Sequence, residues 1–124
     1  MATKRQPLTR QELAIMKIVW RAGAVTVRDV YEALLAKRRV AYTTVMTMMN
    51  ILEAKGHLRK EKDERAFRYR AVRPQRTVVT SMVRDFVNRV FDGASHPLLL
   101  HLVKESRLTD EERRELLRLI KEGA

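Results

Sequence analysis

The apolar pattern of this chain changes its period at Gly56, and that change limits the folds it can adopt. Before Gly56, apolar residues recur every three or four positions, which is typical of amphipathic helices. After it, in Arg65-Ala66-Phe67-Arg68-Tyr69-Arg70-Ala71, apolar and basic residues alternate, which is typical of a half-buried strand. Beyond Pro74 the helical period returns. We therefore expect a mainly α protein with a small β-hairpin.

Three helices are predicted before the hairpin, and the first begins with a capping box. Thr9 and Glu12 can satisfy each other's free backbone N–H groups, and Thr26 with Asp29 three positions on opens the second helix. Helix 1 is expected to end at Gly23, which easily adopts a left-handed conformation. The predicted core positions of these two helices are Leu13, Met16, Val19, Trp20, Val27, Val30, Tyr31 and Leu34.

The third helix, expected from about Thr43 to Lys55, carries two different stripes. Its core-facing positions are Val45, Met48, Met49 and Leu52. On the opposite side, about 200° around the helix, lie Thr43, Met46, Thr47 and Asn50. An ordinary solvated face would be rich in Lys and Glu, but this one carries no charge before Glu53. Small polar side chains suit the base edges of a DNA major groove, and a weakly patterned surface is the alternative.

The hairpin is expected to be basic. Leu58 to Lys62 and residues 65–71 are its predicted strands, with Asp63-Glu64 as the turn. Phe67, Tyr69 and Ala71 would pack against the helices, because a two-stranded ribbon alone is marginal. The charged tip and outer face, expected beside the third helix, would hold Arg59, Lys60, Lys62, Arg65, Arg68 and Arg70.

The positive charge is concentrated in the first part of the chain. The 124 residues hold 26 Lys and Arg against 15 Asp and Glu, and residues 1–72 alone hold 16 against 7. Residues 73–124 are nearly balanced, with 10 against 8. Clustered cations favour an anionic polymer through counterion release, so we expect a nucleic-acid partner; solubility is the alternative explanation.

The second part of the chain is predicted to form three helices and to dimerise. They would span about 76–92, run from Pro97 through Val103, and begin at the capping box of Thr109 and Glu112. This part is too small to bury its large apolar residues alone, so a second copy is the expected cover and helix 1 the alternative. The predicted domains are residues 1–73 and 74–124. Expected dimer contacts are Phe86, Val90, Leu99, Leu102, Leu116, Leu119 and Ile120.

Nothing in the sequence predicts an enzyme, a cofactor or a metal site. Cysteine is absent, the four glycines are isolated, and His101 with Glu105 offers at most half a metal site. Apolar runs reach only four residues, such as 13–16, far short of a membrane span. The basic start lacks the apolar stretch of a secretory signal, so a soluble, cytoplasmic protein is expected.

The order of three helices and a basic hairpin is that of a winged helix-turn-helix, and the residues themselves resemble the penicillinase repressor (BlaI/MecI/CopY) family. The resemblance spans residues 8 to about 122. It rests on Leu8–Trp20, Val27–Val30, Ala41-Tyr42-Thr43-Thr44-Val45-Met46-Thr47, Leu52-Glu53-Ala54-Lys55-Gly56 and Arg65-Ala66-Phe67-Arg68-Tyr69. It implies a homodimeric bacterial repressor whose third helix enters the major groove of an operator.

Carried over by position, the resemblance assigns contacts with bases and nearby phosphates to Thr43, Thr44, Met46 and Thr47. Together with the outward stripe and the basic hairpin, the expected DNA-binding residues are Thr43, Thr44, Met46, Thr47, Asn50, Arg65 and Arg68. Some relatives carry Arg at the position of Met46. A bidentate guanine contact would be lost with Met, so the operator is expected to differ from the family's TACA/TGTA dyad.

The resemblance also suggests two modes of induction, and this chain departs from both. Copper-responsive members carry Cys-x-Cys motifs, which a chain without cysteine lacks. The β-lactam-responsive members are cut between Asn and Phe by a pathway involving a sensor-linked protease. The corresponding bond in this chain is His101-Leu102, where His replaces Asn. The sequence therefore leaves both possibilities, a chain that is cut on induction and one that is not. A protein-interaction adaptor and a ligand-sensing regulator are the alternative functions.

Overall fold

The computed structural model describes residues 7–105 and 107–122, apart from the side chain of Ile120. This part of the chain is mainly α-helical, as predicted, and its small sheet has three strands. The elements are α1 (Arg10–Ala22), β1 (Ala24–Val25), α2 (Val27–Leu35), α3 (Tyr42–Ala54), β2 (Leu58–Asp63), β3 (Ala66–Ala71), α4 (Gln75–Phe91), α5 (Ser95–Glu105) and α6 (Asp110–Glu122). The chain divides into two compact units, Met1–Thr80 and Ser81–Ala124, and the division falls within α4. The domain boundary expected at residue 73 stays a prediction.

Both predicted capping boxes are present, and the start of α2 forms a further one. At the start of α1, the Thr9 N–H donates to Glu12 Oε1 at 2.9 Å, and the Glu12 N–H donates to the Thr9 hydroxyl at 3.1 Å. Thr26 with Asp29 and Thr109 with Glu112 form the same reciprocal pairs. At the other end of α1, Gly23 has a φ of 92°, as the helix termination requires.

One hydrophobic core joins α1, α2, α3 and the sheet. Met16, Val19, Val30 and Leu34 are buried as predicted, whereas Leu13 and Trp20 are only half-buried. Ile15, which the sequence analysis did not select, is completely buried. The fully buried side chains are Ile15, Met16, Val19, Val25, Val30, Val45, Met49 and Leu52.

The sheet is antiparallel, with strand order β1-β3-β2. Ala24 pairs with Arg70 and Val25 with Tyr69, so β1 extends the hairpin by a strand that the sequence analysis missed. The prediction of a turn at 63–64 was also wrong by one residue. Asp63 pairs with Ala66, and the two-residue turn consists of Glu64 and Arg65. Arg65 therefore belongs to the turn rather than to a strand.

The end of α3 is tied to the start of α1 by a buried ion pair. Lys55 Nζ lies 2.8 Å from Glu12 Oε1 and 2.9 Å from Oε2. Glu12 is only 5% exposed, and the Lys55 side chain 16%. Burial opposes ionisation of Glu12, but the hydrogen bonds from Lys55 and Thr9 outweigh it and lower the pKa of this carboxyl. The charge is therefore part of the folded structure at neutral pH.

Among the described residues, the unit that begins at Ser81 leaves nearly all of its large apolar side chains at least partly exposed. Of the hydrophobic residues described in this unit, only Val87 is buried. Phe86 packs edge-on against Phe91, with 6.0 Å between the ring centroids. The helix expected to start at Pro97 begins two residues earlier, at Ser95. α5 has no buried residue. Such a unit buries too little apolar surface to be stable by its own packing.

We expect Glu12→Gln to lower the free energy of unfolding by about 3 kcal/mol at pH 7, because it leaves the Lys55 ammonium buried without its counter-charge. The folded pKa of Glu12 lies below its ordinary value of 4.5. The ion pair's contribution is therefore full above that pH and is lost as the pH falls through the folded pKa. Urea unfolding at several pH values measures this loss.

Glu32→Gln is the matched control, since its ion pair with Arg28 is exposed on both sides. We expect it to cost less than about 0.5 kcal/mol and to change little with pH. Equal losses in the two variants would contradict a special role for the Glu12–Lys55 pair.

Candidate nucleic-acid interface

The outward stripe of α3 lies on the surface. Thr43, Thr47 and Asn50 are exposed, and Met46 is 39% exposed. Thr44, at the edge of the stripe, is also exposed. None of these side chains is charged, and none is buried by the described residues of its own unit, so this side of α3 can lie close against another surface.

The opposite side of α3 is anchored in the core. Val45, Met49 and Leu52 are completely buried, as predicted, while Met48 is only half-buried. Near its start, the ring of Tyr42 packs edge-on against Tyr31 of α2 at 5.4 Å. Because the helix is held on its inner side over its whole length, the outward stripe has a fixed orientation within its unit.

A hydrogen bond joins the stripe to the hairpin of β2 and β3, which we call the wing. The Tyr69 hydroxyl donates to Asn50 Oδ1 at 3.1 Å. Burial raises the pKa of Tyr69, and the negative charge of Glu53 acts in the same direction, so the phenol keeps its proton. The bond fixes the Asn50 carbonyl toward the wing and leaves the amide N–H groups to donate elsewhere.

The arginines of the wing's outer face are paired with carboxylates of the same face. Arg59 and Arg70, which are cross-strand neighbours, share Glu61 at 3.0 and 3.6 Å. Arg68 Nε donates to Asp63 at 2.9 Å. Like charges directly opposite each other destabilise a strand pair, and Glu61 relieves that repulsion. Arg65 is exposed in the turn and forms no ion pair with the described residues.

The expectation that all six basic residues share the outer face and tip was wrong. Lys60 pairs with Tyr69, and Lys62 with Phe67, so both lysines lie on the face that carries the aromatic residues. Phe67 was expected to pack on the helices but is 50% exposed, with Lys60 Nζ 4.6 Å from the centre of its ring. The alternation of Leu58, Lys60 and Lys62 along β2 is the signal that could have predicted this.

A basic run before α3 was also overlooked as a candidate. Lys37, Arg38 and Arg39 follow α2 and are exposed, and none forms an ion pair with the residues described. From the sequence alone, they are expected only as the fraying end of α2. Three adjacent cations in the turn before an uncharged helix face are suited to phosphates beside it.

The candidate dimer contacts lie on α4, α5 and α6. Phe86, Val90, Leu102 and Leu119 are 40%, 51%, 44% and 51% exposed, while Leu99 and Leu116 are half-buried. The side chain of Ile120 is outside the described residues. His101 and Leu102, at the candidate cleavage bond, are both exposed within α5. Within the described ranges, no helix combines the length and apolarity needed to cross a membrane.

Comparison with curated proteins places this architecture among known regulators. The transcriptional regulator BlaI of Mycobacterium tuberculosis (strain CDC 1551 / Oshkosh) is 38% identical over 95 residues, covering 75% of this chain and 69% of that protein. The penicillinase repressor of Bacillus licheniformis is 26% identical over 111 residues, covering 90% and 87%.

Solved structures show the same fold. The monomeric form of Bacillus licheniformis BlaI, determined in complex with the blaP half-operator, has a TM-score of 0.52 and 26% identity, covering 58% of this chain and 88% of that one. A MarR family protein from Bacillus stearothermophilus has a TM-score of 0.55 at 20% identity, covering 94% and 73%, and supports the fold alone.

The penicillinase repressor family model matches residues 8–122, nearly the whole chain. Members such as BlaI and MecI are transcriptional repressors and not enzymes. The resemblance that the sequence indicated is thereby confirmed, and this chain belongs to the penicillinase repressor family of winged-helix transcriptional repressors.

Proposed function

We propose that the chain acts as a homodimer that represses transcription by binding a dyad-symmetric DNA operator in the cytoplasm. The observation that carries this proposal is the outward stripe of α3, which is exposed, uncharged and closely anchored from behind within a strongly basic unit. A helix of this kind fits a major groove, where close approach and short hydrogen-bonding side chains are required. The related BlaI structure contains a half-operator.

Two kinds of DNA contact are assigned to this unit. Thr43, Met46 and Thr47 would meet base edges, with Thr44 and Asn50 at the margins of the stripe. Arg65 and Arg68 of the wing would reach phosphates, which position the protein without reading sequence. Arg68 must first leave Asp63, whereas Arg65 has no acidic partner among the described residues.

The second copy is proposed from the exposed apolar side chains of α4, α5 and α6. A two-fold axis would place the two α3 helices about 34–36 Å apart, or a multiple of that spacing, to match successive major grooves. Because each half-site then binds as part of one molecule, the dimer gains avidity over a single copy. Dimer contacts are assigned to Phe86, Val90, Leu99, Leu102, Leu116, Leu119 and Ile120.

We expect Thr47→Glu to abolish duplex binding, because it places a carboxylate where the stripe would meet bases and phosphates. Electrophoretic mobility shifts should be made with a duplex selected from a random pool. Wild-type affinity should fall by about 10³–10⁵ between 50 and 200 mM salt if 6–10 phosphates are contacted.

Gln11→Glu is the control for this experiment, since it makes the same charge change at an exposed position on α1. It should bind within about twofold of wild type. A wild-type protein that selects no duplex, or a Thr47→Glu variant that binds normally, would contradict the proposal. A protein-interaction adaptor need not be affected by this substitution.

We expect Val90→Asp to shift the protein from dimer to monomer and to weaken operator binding by at least about tenfold, through loss of avidity. Val90 is 51% exposed, so the substitution should not unfold its own helix. Sedimentation equilibrium measures the assembly. Asn88→Asp, on the same helix and also exposed, is the control that should stay dimeric; a dimeric Val90→Asp protein would remove Val90 from the interface.

Relief of repression is proposed to occur by a cut at His101-Leu102, made by a sensor-linked protease. Both residues are exposed in a single copy, where α5 buries no side chain completely, so the cut would act on a copy whose α5 has separated from its partner. Intact-mass spectrometry of the protein from cells treated with a β-lactam should then detect a fragment ending at His101. An intact chain during derepression would exclude this route.

A further inference from the structure

We propose that the wing meets the duplex mainly with its inner face, through the ammonium groups of Lys60 and Lys62 and the exposed ring of Phe67, and not through Arg59 and Arg70 of its outer face. This inference rests on the proposed function, since it names the wing surface that contacts the operator. The partner is the sugar-phosphate backbone of double-stranded DNA beside the groove occupied by α3.

The cations of the outer face are already paired. It holds Arg59, Arg68 and Arg70 against two carboxylates: Glu61 accepts from Arg59, Asp63 accepts from Arg68, and Glu61 also forms an ion pair with Arg70 at 3.6 Å. A phosphate approaching this face would have to compete with both carboxylates, which also repel it. Arg59 and Arg70 also line an open groove together with Trp20 and Gly23, which lie at the end of α1. Both arginines are therefore beside that helix.

The inner face is positive and contains no acid. Lys60 and Lys62 lie there with Phe67 and Tyr69, and neither lysine forms an ion pair with any described residue. Lys60 Nζ lies over the Phe67 ring at 4.6 Å and is 6.0 Å from the centre of the Tyr69 ring. Stacking on a ring holds an ammonium in position without neutralising its charge, so it stays available to an anion.

The inner face is also continuous with the outward stripe of α3. Tyr69, the cross-strand partner of Lys60, is 3% exposed and donates its hydroxyl proton to Asn50 on that stripe. The same side of the sheet that packs on α3 therefore extends outward as Lys60, Lys62 and Phe67. A duplex seated on the stripe would lie on the side of the wing that carries these residues.

Two double variants with the same change of charge test the assignment. Lys60→Gln/Lys62→Gln alters the inner face, and Arg59→Gln/Arg70→Gln alters the outer one. Fluorescence anisotropy should follow binding to the selected duplex and to a scrambled duplex of equal length across a salt series. Thermal unfolding by circular dichroism verifies that both variants fold.

The lysine variant should bind both duplexes more weakly, by on the order of tenfold or more, with the slope of log affinity against log salt shallower by about 3–4 for a dimer. Its preference for the selected duplex should not change, because phosphate contacts carry no sequence information. The arginine variant should keep the wild-type slope within about one.

Equal losses in the two variants, or a loss confined to the arginine variant, would overturn the inference while leaving the repressor proposal intact. Wild-type slopes in both variants would overturn it as well. If Lys60→Gln/Lys62→Gln fails to fold, Lys62→Gln alone tests the assignment, since Lys62 forms no cation–π contact or ion pair with the described residues. For this single variant, the slope of log affinity against log salt should become shallower by about 2 for a dimer. A wild-type protein that binds neither duplex would overturn the proposed function and this inference with it.

Discussion

The position of the α3 stripe depends on the carboxylate of Glu12. Its Oε1 accepts from the Thr9 N–H at 2.9 Å and from Lys55 Nζ at 2.8 Å, so a single group caps α1 and holds the residue that follows α3. A buried carboxylate is costly unless it is fully paired, and few arrangements of α1 and α3 satisfy both partners. The ion pair thus contributes mainly a unique orientation. The apolar core supplies the driving force, and Glu12 connects the start of α1 with the residue that follows α3.

Much of this unit could be predicted from the sequence because its signals are local. A capping box joins residues three positions apart, and both predicted boxes, at Thr9 and Thr109, form. The two stripes of α3 follow from helical geometry alone, so burial of Val45 and Met49 and exposure of Thr43 and Thr47 could be stated in advance. The helix bounds were predicted to within about two residues for the same reason.

The features that were missed depend on contacts between distant residues. β1 has two residues, too few for an alternating pattern, and exists because β3, more than forty positions later, offers it a partner. The Glu12–Lys55 and Asn50–Tyr69 contacts likewise join separate elements. The wing is a different case. The alternation of residues along β2 already places Lys60 and Lys62 on the same face as Leu58. Charge alone, however, suggests that every cation of the hairpin lies on the outer face.

Net charge alone therefore overstates how much of the wing can attract an anion. The first 72 residues carry nine more cationic than acidic side chains, yet the structure neutralises the wing arginines selectively. Since each arginine on the outer face must exchange an existing carboxylate for a phosphate, its net gain on binding DNA is small, whereas an unpaired lysine exchanges only water and counterions. Two faces with similar numbers of cations thus differ in electrostatic function. The face whose charge remains available is the one that lies on the same side of the sheet as α3.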